Sequence, residues 1–486
     1  MTSKPISAKD IASAQKNIDI SKLRKMSLQD IYSCDFFNNS PLFDGNITTK
    51  PDKAQLVSEL EKCLTLEDKL FDPNSQLTTH AIIDFMSATR SSQSDKSKRV
   101  QTFGDMVKSA HVAAIAYDPE MTHIVYDSYV EHSLKEGERI RRAGEGTIDI
   151  LQIKEDTPLP KQMSQFWALS SNKVKLELLS RDIALRDISN VMVSGMVIND
   201  ELLSPKVRQN GSPPIDIPEL CSWLEEADSR IPPIVKWSTQ HACRRMLVFS
   251  NDADSVCYGL RYFSNFEEHG LKELWIQYGN PKRWIPIHKI YHIIGTDQAM
   301  AIIKAHIITG NDHLSKLGTK HAAVHFNPAV ALSQFGESPF LPEHDINCAE
   351  EYLVKCYNGI KSVTNCKTFD ALRLKCVESA KVIGLEQLPP TSSVVRGHIR
   401  RAFYDIRNDV TLLDDPPNID PIDYSWKDLD GVMVPDKHLK PIPENMLKLC
   451  GCEGKCDTKR CNCKKADIQC VVYCHKKVTK SPCVNC

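Results

Sequence analysis

Met246-Leu247-Val248-Phe249-Ser250-Asn251-Asp252-Ala253-Asp254 is the stretch that decides how the chain is read. Its first four residues are apolar and bounded by polar ones, as in a short buried strand. The C-terminal end of that strand delivers two carboxylates separated by one residue. In an open parallel α/β sheet, ligands bind at the carboxyl ends of the strands. A second acidic group, Glu225-Glu226-Ala227-Asp228-Ser229-Arg230, lies about twenty residues upstream. Carboxylates gathered at one sheet edge repel each other unless a cation sits among them. Oxygen donors of this kind suit Mg²⁺ or Mn²⁺, and the chemistry to expect is metal-assisted phosphodiester cleavage.

Working outward, the same strand-then-acid pattern recurs. His80-Ala81-Ile82-Ile83-Asp84 and His123-Ile124-Val125-Tyr126-Asp127 are apolar runs that end in aspartate. Helical periodicity predicts helices over Thr102–Ala116, Ser133–Ala143, Lys173–Arg186 and Gln298–Ile308. Asn190–Ile198 reads as a strand, and Asn210–Pro218, with three prolines and a glycine, as a loop. A hairpin is expected around Gly279-Asn280-Pro281-Lys282. Strands alternating with helices imply an α/β fold with a central, mostly parallel sheet flanked by helices. Each acid alone has a plainer reading, because aspartate after a strand is commonly a turn residue or a helix cap. Recurrence at several strand ends is what favours a site. Pro232-Pro233 bears on it directly, since two prolines can cut short the helix that presents Glu226 and Asp228.

At 486 residues, with 25% charged side chains and a formal net charge of −1, the chain has no global basic excess. Any nucleic-acid surface must therefore be local. The amino terminus is polar, with no apolar targeting segment, and no run reaches membrane-spanning length, so an intracellular protein is expected. The expected organisation is an N-terminal extension over 1–75 (partly helical or disordered) and a core over 76–345. A helical region over 346–410, an extended linker over 411–445 and a cysteine-rich module over 446–486 complete it. Within the extension, Ala54–Leu70 is amphipathic, with Leu56, Leu60, Cys63 and Leu64 on one face.

The acidic pattern resembles the flap-endonuclease and xeroderma-type 5′-nucleases, a branch of the PIN-like fold. In order, the family's metal-binding positions match Asp84, Asp127, Glu226 with Asp228, Asp252 with Asp254, and Asp312 of Gly310-Asn311-Asp312. Asp228 stands where the family usually has glutamate. The resemblance implies two divalent ions, Mg²⁺ or Mn²⁺, and in-line hydrolysis of a phosphodiester. It also implies phosphate contact by Lys135 and Arg139, one turn apart on a basic helix. The interleaved Glu131, Glu136 and Glu138 fit a solvated helix equally well. Ser315-Lys316-Leu317-Gly318-Thr319-Lys320 loosely resembles the family's DNA-backbone-gripping turn. Further phrases, among them Tyr126-Asp127-Ser128-Tyr129, Pro158-Leu159-Pro160-Lys161 and Leu388-Pro389-Pro390-Thr391, resemble a group of animal proteins. That group is often multicopy, is associated with mobile elements, and ends in a tesmin/TSO1-like cysteine-rich (CXC) domain.

Half of the 18 cysteines fall in the last 37 residues: Cys450, Cys452, Cys456, Cys461, Cys463, Cys470, Cys474, Cys483 and Cys486. An odd number of cysteines in a reducing compartment argues for zinc rather than disulfides. Nine thiolates complete three tetrahedral sites if three of them bridge. The alternative is two zincs, with His475 as a ligand. Resemblance to the CXC domain implies the three-zinc form. Nine lysines and arginines in residues 446–486 against three acids suit phosphate contact. The functional expectation is a metal-dependent nuclease held on nucleic acid, most simply DNA in the nucleus. The alternative is a DNA- or chromatin-binding protein that keeps a degenerate nuclease fold.

Overall fold

The structure is a computed structural model. It describes residues 6–38, 40–44, 47–94, 100–129, 147–198, 201–357, 365–379, 384–452, 455–475 and 483–485. Its centre is an eight-stranded sheet. In chain order the strands are β1 (Thr79–Asp84), β2 (Met121–Val125), β3 (Val191–Val193), β4 (Lys206–Arg208), β5 (Ile215–Asp216), β6 (Arg245–Phe249), β7 (Glu273–Tyr278) and β8 (Arg283–Pro286). In space they run β8-β7-β6-β1-β2-β3-β4-β5. The five strands from β7 to β3 are parallel, while β8 and the β4–β5 pair are antiparallel edges.

The apolar runs are continuous because both faces of these strands are covered. Ala81, Ile83, Leu247 and Phe249 face one hydrophobic cluster, while Ile82, Met246 and Val248 face another. That alternation is the two-residue period of a strand. Labelled in chain order, the helices that matter are α1 (Ala8–Leu23), α2 (Ala54–Leu60), α3 (Phe103–Ile115), α4 (Ser170–Asp187), α5 (Ala227–Gln240), α6 (Ala253–Glu268), α7 (Thr296–Ile308) and α8 (Lys320–His325). α3 and α4 pack in the first cluster, and α5, α6 and α7 in the second. α3 starts at a capping box, with Thr102 accepting from Asp105 N–H and the Asp105 carboxylate accepting from Thr102 N–H.

Two segments differ from the sequence expectation in form. Asn190–Ile198 is two short strands, because the chain turns away after Val193 and Met196–Ile198 pairs with Glu201–Leu203 instead. Within 411–445, Trp426–Leu429 pairs antiparallel with Val432–Pro435. No described helix is long and apolar enough to cross a membrane.

Candidate metal centres

The chain leaves β1 for β2 on one side and later returns to lay β6 on the other. The reversal places the ends of β6, β1 and β2 side by side, with Phe249 opposite Ile83 and Asp84 opposite Val125. Asp84 closes β1. Its Oδ1 accepts the Ser87 N–H at 2.9 Å, and its Oδ2 lies 3.4 Å from the Ser250 hydroxyl. Burial, reinforced by the charges of Asp127 and Asp252, pushes the Asp84 carboxyl up to about 7.

Asp127 follows β2 and meets the start of α5, where the Ala227 N–H donates to its Oδ1 at 2.9 Å. Glu226 is the N-cap residue of α5, and Asp228 lies buried in its first turn. Arg230 locks this junction. Its buried guanidinium donates to the Leu224 carbonyl at 2.9 Å, the Tyr126 carbonyl at 3.2 Å, the Gly195 carbonyl and the Ser128 hydroxyl. Burial lowers its pKa to about 10. Pro232 and Pro233 do not end the helix, which runs on to Gln240. What they remove are the N–H groups that would reach the Asp228 and Ser229 carbonyls.

Asp252 caps α6, accepting the Asp254 N–H at 3.0 Å. Carboxylate oxygens of Asp228, Asp252 and Asp254 lie within 4.8 Å of one another. α5 and α6 therefore bring their acids together in one cluster beyond the carboxyl edge of the sheet. Asp312 reaches it from the turn after α7. Gly310 makes that turn possible: its φ is +113°, and a Cβ there would stand 2.8 Å from the Ser315 carbonyl oxygen.

Two bases complete the group. Lys53, immediately before α2, places Nζ 2.7 Å from Asp254 Oδ2, 3.1 Å from Asp312 Oδ2 and 3.6 Å from Asp252 Oδ1. Burial opposes its charge, but these three carboxylates outweigh burial and hold it well above the ordinary ammonium range. His306 of α7 stands 2.6 Å from Asp254 Oδ1 through Nε2. Burial pulls His306 down to about 4, so the ring is neutral at physiological pH and donates Nε2–H to Asp254. For Asp254, burial opposes ionisation, yet Lys53 and His306 carry its carboxyl well below the usual range. Burial and the charge of Asp254 push Asp252 the other way.

The residue-by-residue sequence reading missed Lys53, His306, Arg230 and Glu177. Glu177 is fully buried in α4 beside Asp127, with the Tyr129 hydroxyl 3.3 Å from its Oε1. Burial and the charge of Asp127 raise its pKa well above the usual range. Its only sequence signal was an acid among the lysines and arginines of a helix, which reads as solvated surface. Arg230 stood inside a quoted motif, but no rule of spacing marks a buried guanidinium. Lys135 and Arg139 lie outside the described residues. The segment Ser315–Lys320 does not present its final lysine to solvent. Lys320 is buried, and its amine donates to the carbonyls of His306 and Gly310 and the Thr309 hydroxyl. Burial lowers its pKa to about 7.

A separate cysteine cluster occupies the carboxyl-terminal end of the chain. Three four-ligand groups overlap there: Cys450, Cys456, Cys461 and Cys470; Cys450, Cys463, Cys470 and Cys474; and Cys456, Cys470, His475 and Cys483. Sulfur–sulfur separations of 3.6 to 3.9 Å recur among them. Tetrahedral zinc with bonds of about 2.3 Å demands about 3.8 Å. The donor set and spacing therefore fit zinc, and the recurrence of Cys450, Cys456 and Cys470 fits bridging thiolates. Cys452 joins none of these groups, and Cys486 lies outside the described residues. The cluster leans on α1: Ile20 is buried among its cysteines, and Arg24 donates to the carbonyls of Gln469, Met446 and Lys448.

No family model matches the chain, and no curated protein matches it. Among solved structures it is similar to the bacteriophage T5 flap endonuclease in complex with DNA and metal ions. The identity is 12%, the TM-score is 0.31, and the match covers 68% of this chain and 99% of that one.

Proposed function

We propose that the chain is a divalent-metal-dependent phosphodiesterase of the PIN-like, flap-endonuclease type that acts on nucleic acid. The observation that carries this reading is the convergence of Asp84, Asp127, Asp228, Asp252, Asp254 and Asp312 at a sheet switch point. They arrive there from three strand ends, a helix start and a turn. Asp228, Asp252 and Asp254 would hold one Mg²⁺ or Mn²⁺, with Asp84, Asp127 and Glu226 completing the acidic wall. Oxygen-only donors fit such an ion. Such an ion would supply Lewis-acid stabilisation of phosphate charge and a bound water that is more acidic than bulk water. The chain's own part is to fix the carboxylates. Arg230 and the Ala227 N–H orient Asp127, and His306 orients Asp254. The cysteine module is proposed to bind zinc and, through its lysines, phosphate. DNA as the partner and a nuclear location belong to the same reading.

The test is cleavage of flap, hairpin and single-stranded substrates in Mg²⁺ or Mn²⁺ by wild type and by an Asp252→Ala/Asp254→Ala double variant. Wild-type activity that the double variant loses supports the reading. Equal activity or equal inertness sinks it. One observation favours the alternative of a non-catalytic DNA- or chromatin-binding protein. An ammonium group already lies among three of the carboxylates, so their charge is partly neutralised without metal.

A further inference from the structure

We infer that Lys53 is a built-in cation of the acidic site, taking the place of one divalent ion among Asp252, Asp254 and Asp312. The site would then take a single such ion, on the side of Asp228. This rests on the metal-dependent reading of the site and changes its stoichiometry.

The geometry is that of a cation position. One Nζ lies within 3.6 Å of carboxylate oxygens from three residues on two separate elements, with 2.7 and 3.1 Å to the nearer two. An ammonium group has three donors, and the nearest acid, Asp254, accepts from it at 2.7 Å. A divalent ion bound by the same oxygens would sit in the same space. Lys53 and that ion are mutually exclusive by volume as well as by charge. The Asp228 side is different: there, carboxylate oxygens of Asp228, Asp252 and Asp254 lie within 4.8 Å of one another.

Lys53 is fixed in place rather than loosely appended. Its side chain is mostly buried, and it leads directly into α2, whose Leu56 and Val57 are fully buried. Just upstream, the Thr49 carbonyl accepts the Lys316 N–H at 2.7 Å, four residues past Asp312. Downstream, Glu59 meets His321 at 2.9 Å and His325 at 3.2 Å on α8. Glu61 holds the Arg283 guanidinium, with Nε at 2.8 Å. The segment carrying Lys53 is therefore clamped before and after it, partly to the stretch that carries Asp312. Withdrawing the amine requires breaking these contacts, so the lysine belongs to the site's construction.

The experiment counts Mn²⁺ bound per full-length, zinc-loaded chain, following the free Mn²⁺ signal by electron paramagnetic resonance. Wild type is expected to bind one Mn²⁺, Lys53→Met two, and Lys53→Arg one. Asp312→Asn in the wild-type background should leave the count at one, because the acid it removes faces Lys53; this variant keeps the idea exposed if Lys53→Met does not fold. Two ions in wild type, an unchanged count in folded Lys53→Met, or a drop to none in Asp312→Asn overturns the inference while leaving a metal-binding site in place. No Mn²⁺ binding by wild type and Lys53→Met alike defeats both the inference and the reading beneath it.

Discussion

Asp84 shows what a single carboxylate undergoes at this edge. Its carboxyl is pushed up to about 7 by burial and by Asp127 and Asp252. In the folded chain it therefore holds a proton that the unfolded chain releases near pH 4. Stability from this group is full below that value and is lost as pH rises through about 7. Asp84→Asn removes the titration. In buffers without added divalent ions, the variant should gain on wild type in urea-denaturation stability between pH 5 and pH 8. Added Mn²⁺ should shrink the gap by stabilising the ionised acid; a gap that does not change with pH would refute the assignment. Arg230 makes the complementary case. Arg230→Ala strands the Leu224, Tyr126 and Gly195 carbonyls that the guanidinium now satisfies. A loss of about 3 kcal/mol or more in the denaturation free energy is expected, at about 1–3 kcal/mol per buried unsatisfied group.

Turns and helix ends decide where the acids point. The turn after α7 depends on Gly310, since an alanine there combines a positive φ with a Cβ too close to the Ser315 oxygen. Gly310→Ala should cost about 1–3 kcal/mol and move Asp312. The readout is a lower denaturation midpoint than in an exposed-site control such as Gln209→Ala, with the Mn²⁺ count unchanged because Asp312 faces Lys53. The hairpin Trp426–Leu429/Val432–Pro435 carries a related lesson. Asp430 and Gly431 both have positive φ, at +54° and +83°. Asp-Gly between two short strands is the signature of a two-residue hairpin turn. That signal is present in the sequence, although the prolines and aspartates around it read as an extended linker. The prolines of α5 mislead in the opposite direction. Local rules predict a break after Asp228, whereas packing of Ile231, Ile234 and Val235 in the core holds the helix together.

For the whole molecule, acid sensitivity follows from its buried histidines. Burial pulls His80, His111 and His398 down to about 4, and holds His123 well below its ordinary range. Each stays neutral when folded but gains a proton near pH 6.5 when unfolded. Their contribution is full above about 6.5 and drains as pH falls toward 4. The urea midpoint should drop steeply between pH 7 and pH 5, and His398→Gln should flatten that slope. The cysteine cluster links the two chain ends through Ile20 and Arg24. A module this small draws its folding energy from metal. Zinc chelation should therefore raise hydrogen exchange in Ala8–Leu23 as well as in residues 450–475. Metal analysis should return about three zincs per chain if the thiolates are shared; a value near two would favour the form in which His475 is a ligand.

Chain order alone determined the alternation of strands and helices, the acids at the ends of β1, β2 and β6, and a cysteine tail spaced for metal. These are local properties: a buried parallel strand needs an unbroken apolar run, and thiolate ligands need close spacing. Tertiary structure alone decided that Asp228 meets Asp252 and Asp254, that Glu177 is buried beside Asp127, and that Lys53 reaches across from the N-terminal region. No periodicity links Lys53 to Asp254, some two hundred residues later. Only the packing of α2 against α6 and α8 brings them together, and a lysine read singly has solvent as its default surroundings.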